Sequence, residues 1–478
     1  MSKPLKHILL FPLFMMVPML AWAASAGDFG EMLDLTQSWV GYTSLLVFVI
    51  AYSFVIAEEF THLRKSKPVI LAAGIIWFMI GIAYAQAGIE HTTEVAVREF
   101  LVEFGELFLF LLAAMTYVNA MTERRIFEAL RTWLVSRGFS YRKLFIITGV
   151  ISFFLSPIID NLTTALVMCA VVMAVGKDNV RFVGLGCINI VVAANAGGAF
   201  SPFGDITTLM VWQSGHVEFV EFFALFIPSV VNYVIPAAVM WFAVPNEIPA
   251  ASDDGVRIKR GAFTIVFLFG CTIVTAVSFH NFLHLPPFLG MMTGLGYLKI
   301  YGYYLKKTHK PHPNDSEEYG MVGDVGAFDS FRQVQRAEWD TLLFFFGVIM
   351  CVGGLGFIGY LAMASEFMYI DLGPTIANTL VGVLSAIVDN IPVMVAVLQM
   401  EPAMDHQQWL LVTLTAGVGG SMLSIGSAAG VALMGQARGM YTFFGHLKWT
   451  PVIAIGYVAS IIVHMMINSR LADIPGTL

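Results

Sequence analysis

Charge is what this chain has least of: Asp, Glu, Lys and Arg together supply 12% of its 478 residues, and long stretches contain none of them. That scarcity excludes a soluble domain, whose composition runs to about a quarter charged residues. The absence of a basic patch also excludes a nucleic-acid surface. Cysteine is scarce as well. Cys169, Cys187, Cys271 and Cys351 all lie in apolar segments without CxxC spacing, which argues against a disulfide framework or a thiolate metal cluster and makes them small hydrophobes of the interior. No cofactor is expected. What remains is apolar: 58% of the residues are hydrophobic and the mean hydropathy is +0.77. The composition is that of an all-α polytopic membrane protein, whose obligatory partner is the lipid bilayer. The net charge of −7 says little more, because the Lys and Arg are confined to a few inter-helix loops.

Two polar knots interrupt this apolar background. The first is Ser156-Pro157-Ile158-Ile159-Asp160-Asn161-Leu162-Thr163-Thr164 and the second Ser385-Ala386-Ile387-Val388-Asp389-Asn390-Ile391-Pro392, each with serine four residues before an Asp-Asn pair. A carboxylate at membrane depth is costly and marks a functional site, and two such motifs in two halves mark an internally repeated transporter. The first knot joins two apolar arms, 144–158 and 161–176, both shorter than the ~20 residues a crossing helix needs. They read as a re-entrant hairpin over 144–176, with a second over 373–400 around Asp389. Each hairpin precedes an interrupted crossing. The first runs over 182–213 and is broken at Ala196-Gly197-Gly198-Ala199-Phe200-Ser201-Pro202-Phe203-Gly204-Asp205, and the second runs over 409–437 and is broken between Gly417 and Gly430. Glycines, a proline and a charge disfavour a continuous helix there. The aspartates are 229 residues apart and the glycine pairs Gly197-Gly198 and Gly419-Gly420 are 222 apart, a register that pairs Gly204 with Gly426 and Asp205 with Ser427.

The organisation that follows is a cleavable signal peptide at 1–26, N-terminal helices over 27–100, a first repeat at 101–244, connecting helices and a cytoplasmic loop at 245–338, a second repeat at 339–469, and a tail at 470–478. Continuous spans are expected at 38–57, 68–89, 101–121, 222–244, 261–279, 287–305, 340–361 and 449–468. With the two broken helices that makes ten crossings and two hairpins. The loop His62-Leu63-Arg64-Lys65-Ser66-Lys67, the arginine-rich stretch from Arg124 to Lys143, and Lys177 and Arg181 all belong on the cytoplasmic side. Counting from them puts the ends of the first hairpin inside and those of the second outside, an inverted repeat.

Tips and breaks free backbone carbonyls at mid-membrane, which is tolerable only where they line a cavity or coordinate something. The first half supplies Ser156, Asp160, Asn161, Thr163, Thr164, Asn195, Ser201, Asp205, Thr207 and Thr208, and the second Ser385, Asp389, Asn390, Ser421, Ser424 and Ser427. Oxygen donors with carboxylates suit a hard monovalent cation, sodium or lithium. Single Ser and Thr residues also serve as packing between helices. The aspartates have no such packing rationale. Because Ser427 stands where the first half has Asp205, the first half should hold the stronger site, with Na+ or Li+ at Asp160, Asn161 and Asp205. Glu106 and Asp340, at the start of each repeat, are candidates either for a proton relay or for helix caps. Glu58 and Glu59 read as solvated helix-end charges, and His216, His280, His284, His446 and His464 as interfacial.

The two Asp-Asn tips, the run from Ala194 to Thr208 and Gly419-Gly420-Ser421-Met422-Leu423-Ser424-Ile425-Gly426-Ser427 resemble the NhaD-type sodium/proton antiporters of the ion transporter superfamily. The likeness covers nearly all of the chain after residue 40. It implies exchange of cytoplasmic Na+ or Li+ for external protons across a bacterial inner membrane, a scaffold and a transport domain, elevator-like motion and a homodimer. On the matching positions its transport residues fall at Asp160, Asn161, Asn195, Asp205, Thr207, Thr208, Asp389, Asn390, Ser424 and Ser427. Two rivals stand beside it. A carboxylate or other anion carrier of the same superfamily would share the fold, but three carboxylates, Asp160, Asp205 and Asp389, are ill placed for an anion. An intramembrane aspartyl protease would also bury acids, yet Gly204-Asp205 matches only half of the Gly-x-Gly-Asp signature, since position 202 is Pro.

Overall fold

The computed structural model describes residues 32–61, 63–89, 91–176, 179–248, 258–308 and 328–473. The expected signal peptide at 1–26 and Lys177 lie outside them, as do most of the cytoplasmic connection and the end of the tail. Among the described residues the secondary structure is helical throughout. The principal helices are α1 (Trp39–Ile56), α2 (Ser66–Ala87), α3 (Thr92–Glu123), α4 (Tyr141–Ile159), α5 (Asn161–Val175), α6 (Val180–Gly198), α7 (Ile206–Gln213), α8 (Phe226–Ala243), α9 (Ala262–Leu283) and α10 (Pro287–Lys307). They continue as α11 (Trp339–Phe357), α12 (Pro374–Ser385), α13 (Asn390–Met400), α14 (His406–Gly419), α15 (Ala428–Gln436) and α16 (Thr450–Ile467). Their ends follow local chemistry. The Ser38 hydroxyl accepts from the Gly41 N–H at the start of α1, Gly88 stops α2 at φ 73°, and Pro287 sits in the first turn of α10, where its missing N–H costs nothing.

Nine helices among the described residues are long and apolar enough to cross a membrane. Seven match expected continuous spans. The other two, α4 and α6, are parts of the expected hairpin and broken helix, whereas α10, expected as a span, is not among the nine. The first arm thus runs over 19 residues rather than 144–158, because Tyr141 to Lys143 continue the helix behind Ser140. The arms of the second knot are short, 12 and 11 residues. The breaks are also narrower than the glycines suggested: α6 continues to Gly198, and α15 resumes at Ala428 rather than after Gly430. The third span begins nine residues early, at Thr92, where an i,i+4 Arg98–Glu94 pair at 2.7 Å steadies a polar first turn. The arginine-rich stretch expected as loop contains an amphipathic helix, Ile126–Ser136, whose Phe127 and Leu134 are buried. Arg124 is not a loop charge either, since it is buried against Glu123 at 2.7 Å.

Two helical groups emerge from the packing. In one, α2 packs on α1 and α11, α3 on α10 and α11, and α9 on α10. In the other, α6 packs on α4, α5 and α8, α14 on α12, and α16 on α8. The central helix α6 has 83% of its apolar window buried, against 28% for the peripheral α9. The halves interlock by exchange. The second arm of the first knot, α5, packs on α15 of the second half, and α13 packs on α7 of the first.

The same contacts recur at equivalent positions in both halves. Ser156 Oγ donates to the Ala194 carbonyl and Ser385 Oγ to that of Ala416, each at 2.7 Å. A Cβ on Gly198 would lie 2.7 Å from the Gly204 oxygen, and one on Gly420 2.6 Å from that of Gly426. Only glycine lets the two ends of each break approach so closely. Asp205 and Ser427 then cap α7 and α15 with nearly identical extended backbones, φ −146° and −144°.

Candidate functional site

Four helices begin at the centre of the molecule, with Asp160, Asp205, Asp389 and Ser427 as the N-caps of α5, α7, α13 and α15. Helix N-termini carry partial positive charge, so carboxylates are favoured at these points. Asp205 is the hub. It is 4% exposed, and its Oδ2 accepts from Asn161 Nδ2 at 2.8 Å and from Asn390 Nδ2 at 2.9 Å. One carboxylate oxygen therefore ties together the asparagines of both tips. Asn161 Nδ2 also donates to Asn195 Oδ1 at 3.0 Å, and Asn195 Nδ2 donates to Ser427 Oγ at 3.1 Å. The chain Asn390–Asp205–Asn161–Asn195–Ser427 is buried and crosses between the halves twice.

Thr207 donates its N–H to Asp205 Oδ1 at 3.3 Å. The hydroxyls of Thr207, Ser424 and Thr164 are buried without hydrogen-bond partners, whereas Thr208 donates to the Asp205 and Ser201 carbonyls and so pins the break. Among the described residues, no lysine, arginine or histidine is hydrogen-bonded to the five members of the chain. Asp160 and Asp389 each lie within electrostatic reach of Asp205, but they are engaged differently. Asp160, at φ 74°, caps its own helix: Oδ1 accepts from the Thr163 N–H at 2.7 Å and Oδ2 from the Thr163 hydroxyl at 2.9 Å. Asp389 makes no side-chain cap. Residue 392, in the place of Thr163, is proline and has no N–H to offer. The Asp389 carboxylate instead meets Lys65 Nζ at 3.2 Å.

The sequence pattern thus identifies Asn161, Asn195, Asp205, Asn390 and Ser427, which the structure joins directly, Thr207 and Thr208, which bond to Asp205, and Asp160, which caps the helix that Asn161 begins; Ser424 is buried but makes no hydrogen bond to them. It does not indicate Lys65 or Tyr52. Lys65, expected as a loop charge, lines a cavity of about 260 Å³ with Asp389, Glu58, Glu338, Asp340 and Tyr52. Glu58, half-buried at the start of the short helix Glu58–Thr61, faces this cavity. Asp340 accepts from the Ser66 hydroxyl at 2.5 Å, while Glu106 on α3 is not among the residues lining that cavity. Three histidines expected at interfaces are buried: His446 bridges Tyr441 and the Ser421 carbonyl, His464 meets the Gln407 carbonyl, and His216 stacks on Trp409 at 3.7 Å. His406, on α14, pairs with Glu221 at 2.8 Å.

Buried carboxylates at the meeting of interrupted helices, in a chain with nine apolar spans among its described residues, describe a secondary transporter rather than an enzyme. Residues 52–417 match the family model described as Citrate transporter, which sets the broad family. Within it, the Na(+)/H(+) antiporter NhaD of Alkalimonas amylolytica is 59% identical over 463 residues, covering 95% of this chain and 95% of its own length. The Na(+)/H(+) antiporter NhaD of Vibrio parahaemolyticus is 62% identical over 405 residues, covering 83% of this chain and 98% of its own. Sodium/proton antiporter 1 of Arabidopsis thaliana is 31% identical over 467 residues, covering 93% and 76%. The chain belongs to the NhaD family of Na(+)/H(+) antiporters and is a multi-pass protein of the bacterial inner membrane.

Proposed function

We propose that the protein exports cytoplasmic Na+, or Li+, in exchange for external protons at one shared site built on Asp205 and Asp160. The observation that carries this reading is the Asp205 carboxylate, buried and held by an asparagine from each half. A buried carboxylate needs a countercharge, and with no cationic side chain bonded to the cluster the candidates are a proton or a small cation. The two neutralise the same oxygens, so each excludes the other. If only the neutralised site reorients, that competition alone produces exchange. On cation binding, Asn161 and Asn390 turn their amides so that Oδ1 rather than Nδ2 faces the ion, and the unpaired hydroxyls of Thr207 and Ser424, with Asn195, Thr208 and Ser427 behind them, complete an oxygen shell. Asp340 and Glu106 are the candidates for passing the proton on. In this reading the hairpins open to opposite faces and the group around α6 moves against the group around α2 and α11, in a homodimer.

The broad family's description, Citrate transporter, points to an anion. Three carboxylates at the centre oppose a citrate site, and they outnumber the one lysine, Lys65, that pairs with Asp389. Proteoliposomes with an internal pH dye separate the two. External Na+ or Li+ should alkalinise the lumen, citrate as its choline salt should not, and Asp205→Asn should lose the response. Citrate-driven proton flux, or full Na+ response in Asp205→Asn, would reject the proposal.

A further inference from the structure

The cavity beside Asp389 has an unbalanced interior. Four carboxylates, Glu58, Glu338, Asp340 and Asp389, line it against one ammonium, Lys65. Two of its oxygens are also unsatisfied. Tyr52 is 6% exposed, and its hydroxyl is buried without a hydrogen-bond partner, as is Asp389 Oδ1. Buried polar atoms are rarely left so, and two in one cavity mark a place where something binds. Lys65 itself is held lightly. Its ammonium has three donors, yet Asp389 Oδ2 is its one hydrogen-bond partner among the described residues. It also lies over the face of Phe344, 4.4 Å from the ring centre.

We propose that this cavity is a second monovalent-cation site, and that Lys65 is a tethered cation that fills it when no sodium ion does. The inference rests on the reading of the protein as a cation carrier. The ammonium stands beside Asp389, and Asp389 Oδ1 and the Tyr52 hydroxyl, unsatisfied in the same cavity, are oxygen donors that suit Na+ as well. Lys65 is the residue just before α2, whereas Asp389 belongs to the tip joining α12 and α13. When Na+ arrives, Lys65 gives up Asp389 and swings to Glu58, Glu338 or Asp340, which line the same space. The cavity also touches the central site. Leu162 of the first tip and Ala428 of α15 border it, so an ion held here is one step from the Asp205 cluster. Sodium thus competes with a lysine at the second tip and with a proton at the first.

The test is Na+ binding by calorimetry on the purified full-length protein. It is done in an Asp205→Asn background, which removes the first site and leaves the second. Adding Lys65→Gln removes the competitor and should lower half-saturating NaCl about tenfold, since the pair is neither fully exposed nor sealed. Lys65→Arg keeps the charge and grips the carboxylate in two places, so it should bind Na+ no better than its parent. Tyr52→Phe added to Lys65→Gln should weaken binding again. Identical Na+ binding with and without Lys65→Gln, in protein that elutes as a single folded species, would overturn the inference, as would tighter binding in Lys65→Arg. If wild type binds no Na+ in any form, the reading as a cation carrier fails. If wild type binds through Asp205 while Lys65→Gln changes nothing, only the second site fails.

Discussion

At the first tip the carboxylate closes on its own helix, and at the second it reaches across to a different one. Asp160 and Asp389 follow the same serine spacing and precede the same asparagine, and both asparagines end on Asp205. The divergence comes from position 163 against 392. Thr163 offers both an N–H and a hydroxyl to Asp160, whereas Pro392 offers neither to Asp389. A cap worth about 1 kcal/mol is therefore absent at the second tip, and the carboxylate is left to Lys65. The breaks repeat the lesson. Asp205 and Ser427 hold the same backbone conformation at the starts of their helices, Asp205 accepting from the Thr207 N–H and Ser427 from the Gly430 N–H, but only one carries charge. The two tips thus hold one self-capped and one ion-paired carboxylate, set by single side chains rather than by fold.

Three substitutions press on that difference. The largest effect is expected from Asp160→Asn, which keeps the shape of the first tip but removes both the proton and the countercharge. Exchange should fall to background while the protein still inserts, as read by the same pH-dye assay on protein quantified by immunoblot. Undiminished exchange would move the proton to another acid. Thr163→Pro copies the second tip into the first and is tolerated in a first helical turn. Asp160 then loses two donors that favour its charged form, so half-saturating Na+ should rise about fivefold, the equivalent of about 1 kcal/mol. The converse, Pro392→Thr, gives Asp389 a cap that competes with Lys65. It should shift Na+ binding only about twofold, because the partly exposed ion pair and the new cap are of similar strength.

The sequence is most informative where physics is local. Glycine, proline and charge inside apolar runs announce the knots and the breaks, and the fixed register between the halves foretells that Asp205 and Ser427 occupy matching places. Hydropathy is silent where the partner is distant. Lys65 stands between Arg64 and Ser66 in a stretch that reads as loop charge, and its carboxylate is 324 residues away. The same holds for His446, His464 and His216, which look interfacial by position but are buried by tertiary contacts. Pro392 in place of Thr163 is the one local sign that the second aspartate does not cap its helix. The amphipathic helix Ile126–Ser136 is hidden for another reason: Arg124, Arg125 and Arg137 flank it closely enough to read as loop charge, and only Phe127 and Leu134 are buried.

The claim that proton and sodium share one buried site is tested most directly by the half-saturating Na+ concentration of the wild-type exchanger, measured in proteoliposomes across a pH series. Below the pH at which the site gives up its proton, each unit of acidification raises the proton concentration tenfold. The half-saturating Na+ concentration should then rise about tenfold per pH unit and level off above that pH, as one proton competes with one ion. A half-saturating concentration that stays constant across the series while the maximal rate changes would contradict the account, and would place the proton on a group separate from the sodium site.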